Sequence, residues 1–233
     1  MSNSDITVIL VHGAWSDGQM FNKILPLLIK KGVMVKVVQN PLTGIEDDIK
    51  KTLELIDLQE GKVLLVGHSY GGVVISAAGN HEKVCGLVYL CAFIPDQGEN
   101  VQSILCKFEK LDSSLNYFHD KNGNVWFGYE KFHESMYQDF NDYENHLTIC
   151  FSQKPVSTKI FIEKLQCIPA WKKKPSWCQI SENDRMIHPQ LLEYLAERIK
   201  PIKKISLKSG HCPQLTNQNA ILEFILEVLS FFK

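Results

Sequence analysis

Six short runs rich in β-branched residues recur along the chain with longer amphipathic stretches between them, and this alternation constrains the fold more than any other feature. The runs are ITVILV (6–11), VMVKVV (33–38), KVLLVG (62–67), KVCGLVYLCAF (83–93), PSWCQI (175–180) and KKISLK (203–208). They read as apolar on both faces, as strands buried inside a parallel sheet are. Helix-like segments lie between them. Residues 18–32 end in lysines and a glycine stop. Residues 45–60 follow Thr43, with Glu46 three positions on in the pattern of a capping box. Residues 191–199 follow Pro189, and 220–232 close the chain. Strand–helix alternation of this kind predicts an α/β fold, a mostly parallel sheet of about six strands flanked by helices. A chain of 233 residues suits one such domain with an insertion.

Residues 96–172 break the rhythm. They hold 13 of the 23 aromatic residues in a third of the length, without a clear strand run. We read them as a helical cap inserted into a core formed by 1–95 and 173–233. An aromatic satellite core under long loops is the alternative.

Composition narrows the function. Charges nearly cancel, to a net −1, and no block of one sign stands out, which argues against a nucleic-acid or anionic-membrane surface. The N-terminus shows no secretory leader, and the apolar run around LVYLCAFI is too short to span a bilayer. Seven cysteines without C-x-x-C pairs read as reduced thiols, so a cytoplasmic protein is expected.

The third run leads directly into Gly67-His68-Ser69-Tyr70-Gly71, which fits G-x-S-x-G in the strand-to-helix context that motif needs. The turn is too tight for neighbouring Cβ atoms and pushes the serine hydroxyl out at the carboxyl edge of the sheet. A dinucleotide-binding loop would need glycine where Ser69 stands, and a P-loop would end in GK[ST]. Ser69 is therefore the candidate nucleophile.

A serine hydroxyl is a weak nucleophile until a base takes its proton. Of eight histidines, His81, His119, His133 and His146 lie in helix or insertion positions. His12 and His68 are built into their own turns, and His188 precedes a helix as a cap. His211, in KSGHCPQLT beyond the last strand run, can reach back over the sheet edge to Ser69. The base needs a carboxylate to orient it. Asp184, in SENDRMIHP, is our choice, with Asp96 in FIPDQGE as the competitor and Glu182 a solvated charge. The backbone N–H groups of Ala14, in LVHGAWSDG, and of Tyr70 are the expected oxyanion donors. Trp15 and His68 are the expected substrate contacts, although Trp15 can equally pack under the first helix.

With these residues in hand, the chain resembles the α/β-hydrolase superfamily. The order Ser69, Asp184, His211 and the segments VHGAW, GHSYGG, ENDRMIHP and SGHCPQL carry the resemblance, which extends over essentially the whole chain. More narrowly, it is similar to small bacterial esterases related to the plant methylesterase and hydroxynitrile lyase branch. The resemblance implies six of the usual eight strands, with Ser69 as nucleophile, His211 as base and Asp184 as its orienter. The lyases carry a threonine and a lysine where this chain has Gly13 and Cys212, so cyanohydrin cleavage is not expected. Ser69 also excludes the aspartate-nucleophile dehalogenases and epoxide hydrolases of this fold. The expected activity is hydrolysis of a small or medium ester with an apolar or aromatic portion. A ligand receptor on the same scaffold, or a cofactor-free lyase, is the alternative. No metal or organic cofactor is implied. A small-molecule ester is the expected partner, and a monomer or homodimer the expected state.

Overall fold

The computed structural model describes residues 6–109, 111, 117–140 and 143–233. The first residues read for a leader, parts of 96–172 and the side chain of His146 lie outside the described residues. Six strands form one parallel sheet: β1 (Ile6–Val11), β2 (Met34–Val37), β3 (Lys62–His68), β4 (Val84–Leu90), β8 (Ser176–Ser181) and β9 (Lys203–Leu207). Their order is β2-β1-β3-β4-β8-β9. The chain thus runs from β1 outward to β2, then crosses back past β1 to β3, with Val11 opposite Gly67 at their carboxyl ends. Where the direction of winding reverses, the loops after neighbouring strands part and leave a crevice. Here that crevice lies between the loop after β1 and the loop after β3.

The central strands β1, β3, β4 and β8 are buried almost throughout. The expectation of two apolar faces fails for β2 and β9, which alternate exposed and half-buried residues. They are the sheet's two edges, covered on fewer sides, and their lysines face water. Flanking helices bury one stripe each. In α2 (Ile45–Asp57) the stripe is Ile45, Asp48, Thr52 and Ile56, so two of its four members are polar. In α8 (Pro189–Ile199) it is Leu191, Leu192, Leu195, Ala196 and Ile199, and α10 (Gln218–Ser230) buries Ile221, Phe224, Ile225 and Val228 among others.

Two helical expectations need correction. Residues 18–32 form a single 3-10 turn, Gly18–Phe21, capped by Asp17, and a separate helix α1 (Leu25–Lys30). Pro26 explains the break, since its ring lacks an N–H and would meet a carbonyl of the preceding turn. Nor does Thr43 cap α2. Its hydroxyl donates to Asp47 Oδ2 at 2.6 Å, and the free N–H of Ile45 goes instead to Glu163 Oε2 at 2.9 Å.

Segment 96–172 contains α4 (Val101–Leu105), α5 (Tyr129–Met136), α6 (Tyr143–Phe151) and α7 (Lys159–Ile162). It also contains a three-stranded antiparallel sheet that we did not expect: β5 (Tyr117–His119), β6 (Asn124–Phe127) and β7 (Val156–Ser157). Asp120 makes the β5–β6 turn by accepting the N–H groups of Asn122 and Asn124, and Gly123 takes φ +79°. Its last residues run down beside the core, where Asn80 Nδ2 donates to Ile168 O at 2.9 Å, and its other contacts gather near the strand ends. Trp15 Nε1 donates to Val125 O at 3.1 Å, Ser157 N to Leu42 O at 2.9 Å, and Gln138 Nε2 to Asn183 O at 2.8 Å. Trp15, Leu42 and Asn183 all follow strand ends, so the segment lies over the carboxyl edge of the sheet.

Candidate active site

Ser69 sits one residue beyond β3 with φ +53°, a left-handed conformation that costs a non-glycine residue on the order of 1–3 kcal/mol. The neighbouring backbone holds it there. Ser69 N donates to Leu90 O at 3.2 Å, and its carbonyl accepts from Gly72 N and Phe93 N at 3.0 and 3.1 Å. The helix that follows, α3 (Gly71–Ala78), starts against β1. A Cβ on Gly71 would stand 2.3 Å from Val11 O, so only glycine lets the helix begin here.

His211 comes from the loop after β9. Its Nε2 lies 2.9 Å from Ser69 Oγ, and its Nδ1 lies 2.7 Å from Asp184 Oδ2. A carboxylate only accepts, so Nδ1 carries the hydrogen and Nε2 offers its lone pair to the serine hydroxyl. Asp184 follows β8 and is anchored by its other oxygen, which accepts Met186 N at 2.7 Å and Ile187 N at 2.9 Å. Ser69 is 8% exposed, His211 0% and Asp184 3%, so the relay runs inward from a hydroxyl at the edge of the cleft. The arrangement can move a proton from Ser69 Oγ to His211 Nε2 while Asp184 stabilises the imidazolium.

The competing carboxylates are elsewhere. Asp96 pairs with Lys172 at 2.6 Å, and Glu182 is exposed to solvent. The loop that carries Ala14 passes close to Ser69: a Cβ on the preceding residue, Gly13, would come 2.8 Å from Ser69 Cβ and 3.3 Å from its Oγ. Among the described residues, neither Ala14 N nor Tyr70 N has an acceptor. Two N–H groups left without acceptors, one on the residue after Gly13 and one on the residue after Ser69, suit a developing oxyanion.

Trp15 adopts φ +55° and stacks on Tyr117, ring centres 5.1 Å apart. It lines a cavity of about 370 Å³ together with Tyr117, Phe161, Phe108, Met186 and Leu191. Ser69, His211 and Asp184 are outside the wall of that cavity. Trp15, next to Ala14, and Met186, tied to Asp184, are the links between the two.

The expectation that His68 touches substrate is corrected. Its ring is buried against His211, centroids 4.9 Å apart, and Nε2–H donates to His211 O at 2.7 Å. Burial, with His211 beside it, lowers its pKa to about 3, so it stays neutral. His12 is likewise structural: Nδ1–H donates to Gly13 O at 2.9 Å, Nε2 accepts from Asn40 N at 3.0 Å, and burial lowers its pKa to about 4. His188 caps α8, its Nδ1 accepting Gln190 N at 3.2 Å.

Sequence reasoning missed Asp48. Its Oδ2 accepts the Tyr70 hydroxyl at 2.7 Å and its Oδ1 accepts Leu42 N at 2.8 Å. Burial pushes this carboxyl up to about 6, against the pull of those two donors. An acidic residue at core spacing between Ile45 and Thr52 was the available signal. Among the described residues no group of three or more His, Cys, Asp or Glu side chains could hold a metal ion.

Comparison with known proteins follows the same lines. Residues 8–223 match the family described as "Alpha/beta hydrolase family". The carbendazim hydrolyzing esterase of Nocardioides sp. (strain SG-4G) is 34% identical over 113 residues, 42% of this chain and 47% of that protein. Salicylic acid-binding protein 2 of Nicotiana tabacum is 32% identical over 126 residues, 47% of this chain and 48% of that protein. The chain thus spans about half the length of these curated relatives. The structure of a pyrethroid hydrolase from Sphingobium faniae JZ-2 has a TM-score of 0.82 at 19% identity, covering 97% of this chain and 98% of that one, which is a likeness of fold.

Proposed function

The chain belongs to the alpha/beta hydrolase family, and from that membership we propose that it is a serine hydrolase of small or medium carboxylic esters with an apolar or aromatic portion. The observation that carries this reading is the unbroken contact from Ser69 Oγ through His211 to Asp184. Ser69 Oγ bonds to the ester carbonyl carbon as its proton passes to His211 Nε2, and the carbonyl oxygen takes up negative charge beside Ala14 N and Tyr70 N. Collapse of that intermediate breaks the bond to the alcohol, which leaves with the proton from His211. Water, deprotonated by the same nitrogen, then releases the acid and restores Ser69. No step needs a cofactor.

Segment 96–172 serves as the cap that selects substrate. The cavity of about 370 Å³, walled by Trp15, Tyr117 and Phe161, falls in the size range of small-molecule sites and favours a flat apolar group. The names of the similar proteins, an esterase and a pyrethroid hydrolase, agree with ester chemistry. All seven cysteines are free, which supports a cytoplasmic setting, and no helix among the described residues is long and apolar enough to cross a membrane. A monomer or homodimer suffices, since one chain supplies every group named.

One finding favours a second reading, a ligand-binding protein: the similarity to a protein named for binding salicylic acid. Turnover of p-nitrophenyl esters separates the two. A hydrolase releases many equivalents of nitrophenol per site, whereas a binding protein releases one at most.

A further inference from the structure

The turn after α5 meets the core at two places of consequence. Phe140 N donates to Tyr137 O at 2.8 Å, closing a turn with Gln138 and Asp139 at its tip. Asp139 Oδ2 accepts the N–H of Gly210, the residue before His211. Gln138 Nε2 donates at 2.8 Å to the carbonyl of Asn183, the residue before Asp184. Asn183 N in turn donates to Ser209 O at 3.1 Å, so the two loops are tied to each other as well as to the turn. A third link runs from Arg185 Nη1 to Glu134 O at 3.3 Å, on the other side of Asp184.

We propose that Asp139 and Gln138 are positioning residues, which hold in register the two loops that carry the base and its acid. The proposal rests on the hydrolase reading above. From inside the protein, the His211 loop is held by His68 through the His211 carbonyl. From outside, it is held by Asp139 through the preceding N–H. The two grips act on the peptide groups on either side of the Gly210–His211 peptide and together determine where the imidazole points. Glycine at 210 makes the outer grip possible, because a Cβ there would stand 2.9 Å from Gln138 Cγ and 3.1 Å from Asp139 Oδ2. A misplacement of about 1 Å in a reacting group costs on the order of a hundredfold in rate, so a partial loosening is visible in turnover.

The carboxylate of Asp139 is exposed, so its removal empties no core space. The test uses the full chain with Asp139→Ala, Asp139→Asn and Gly210→Ala. It compares kcat and KM for p-nitrophenyl acetate and the rate at which a fluorophosphonate labels Ser69, with thermal unfolding recorded alongside. Asp139→Ala should lower kcat and the labelling rate about tenfold with KM unchanged. Asp139→Asn, which still offers an oxygen to Gly210 N, should recover most of the loss, and Gly210→Ala should reproduce it. Unaltered rates in folded Asp139→Ala overturn the proposal, as does a change confined to KM. Equal impairment in Asp139→Asn overturns it too, by assigning the effect to charge. Should Asp139→Ala melt below the assay temperature, Gln138→Ala decides by the same readouts. Absence of labelling in the unaltered protein would instead overturn the hydrolase reading, and the proposal with it.

Discussion

His68 Nε2 donates to the carbonyl oxygen of His211 at 2.7 Å, so the residue before Ser69 holds the loop that carries His211. The ring that does this is buried and neutral, its pKa lowered to about 3 mainly by burial. The unfolded chain protonates the same ring near 6.5, and the folded one does not. Stability from this group is therefore complete above 6.5 and falls as the pH drops toward 3.

Replacing the ring by an amide tests the linkage. Between pH 7 and 5 the unaltered protein should lose about 2 kcal/mol more unfolding free energy than His68→Gln, read by urea denaturation. His12, lowered to about 4, adds a loss of the same sign, and Asp48, raised to about 6, acts in the opposite direction. Both are common to the two proteins and cancel in the comparison. Identical pH dependence would remove His68 from the account.

Asp184→Asn should lower kcat on the order of 10⁴-fold. The amide oxygen would stay with the N–H groups of Met186 and Ile187, turning the NH₂ toward His211 Nδ1 and forcing the wrong tautomer. Asp96→Asn should leave kcat for a p-nitrophenyl ester unchanged, because that carboxylate faces Lys172.

Glu163→Ala should destabilise the fold by about 1 kcal/mol, the ordinary cost of a lost helix cap. Hydrogen exchange should show faster opening at Ile45, whose N–H the Glu163 carboxylate accepts. Unchanged exchange there would mean that water replaces the carboxylate without cost.

Gly71→Ala should destabilise by at least 1–3 kcal/mol, the usual cost of overpacking, because its Cβ would meet a backbone oxygen that cannot rotate away. Thermal unfolding reads the loss. A melting temperature equal to that of the unaltered protein would show that the start of α3 can shift away from β1.

The sheet and the meeting of Ser69, His211 and Asp184 were legible in the sequence because each depends on local signals. Runs of β-branched residues mark strands, and GHSYGG carries its own turn. His211 and Asp184 could be assigned because each lies just past a strand run. What escaped depends on distant partners. The β5–β7 sheet pairs strands of two to four residues, too short for periodicity, although Asn122-Gly123 between YFH and NVWF was a turn signal in plain view. Thr43 had the right spacing to cap α2, but a carboxylate 118 residues beyond Ile45 reached the Ile45 N–H instead. His68 was misread because nothing local shows which way a buried ring faces.

The proposed chemistry turns on Ser69 as a nucleophile activated by His211. The most direct measurement is intact mass with peptide mapping after exposure to a fluorophosphonate probe, for the unaltered protein and Ser69→Ala. One adduct is expected, on the peptide bearing Ser69, and none in Ser69→Ala. A folded protein that takes up no adduct, or takes it up elsewhere, would contradict it.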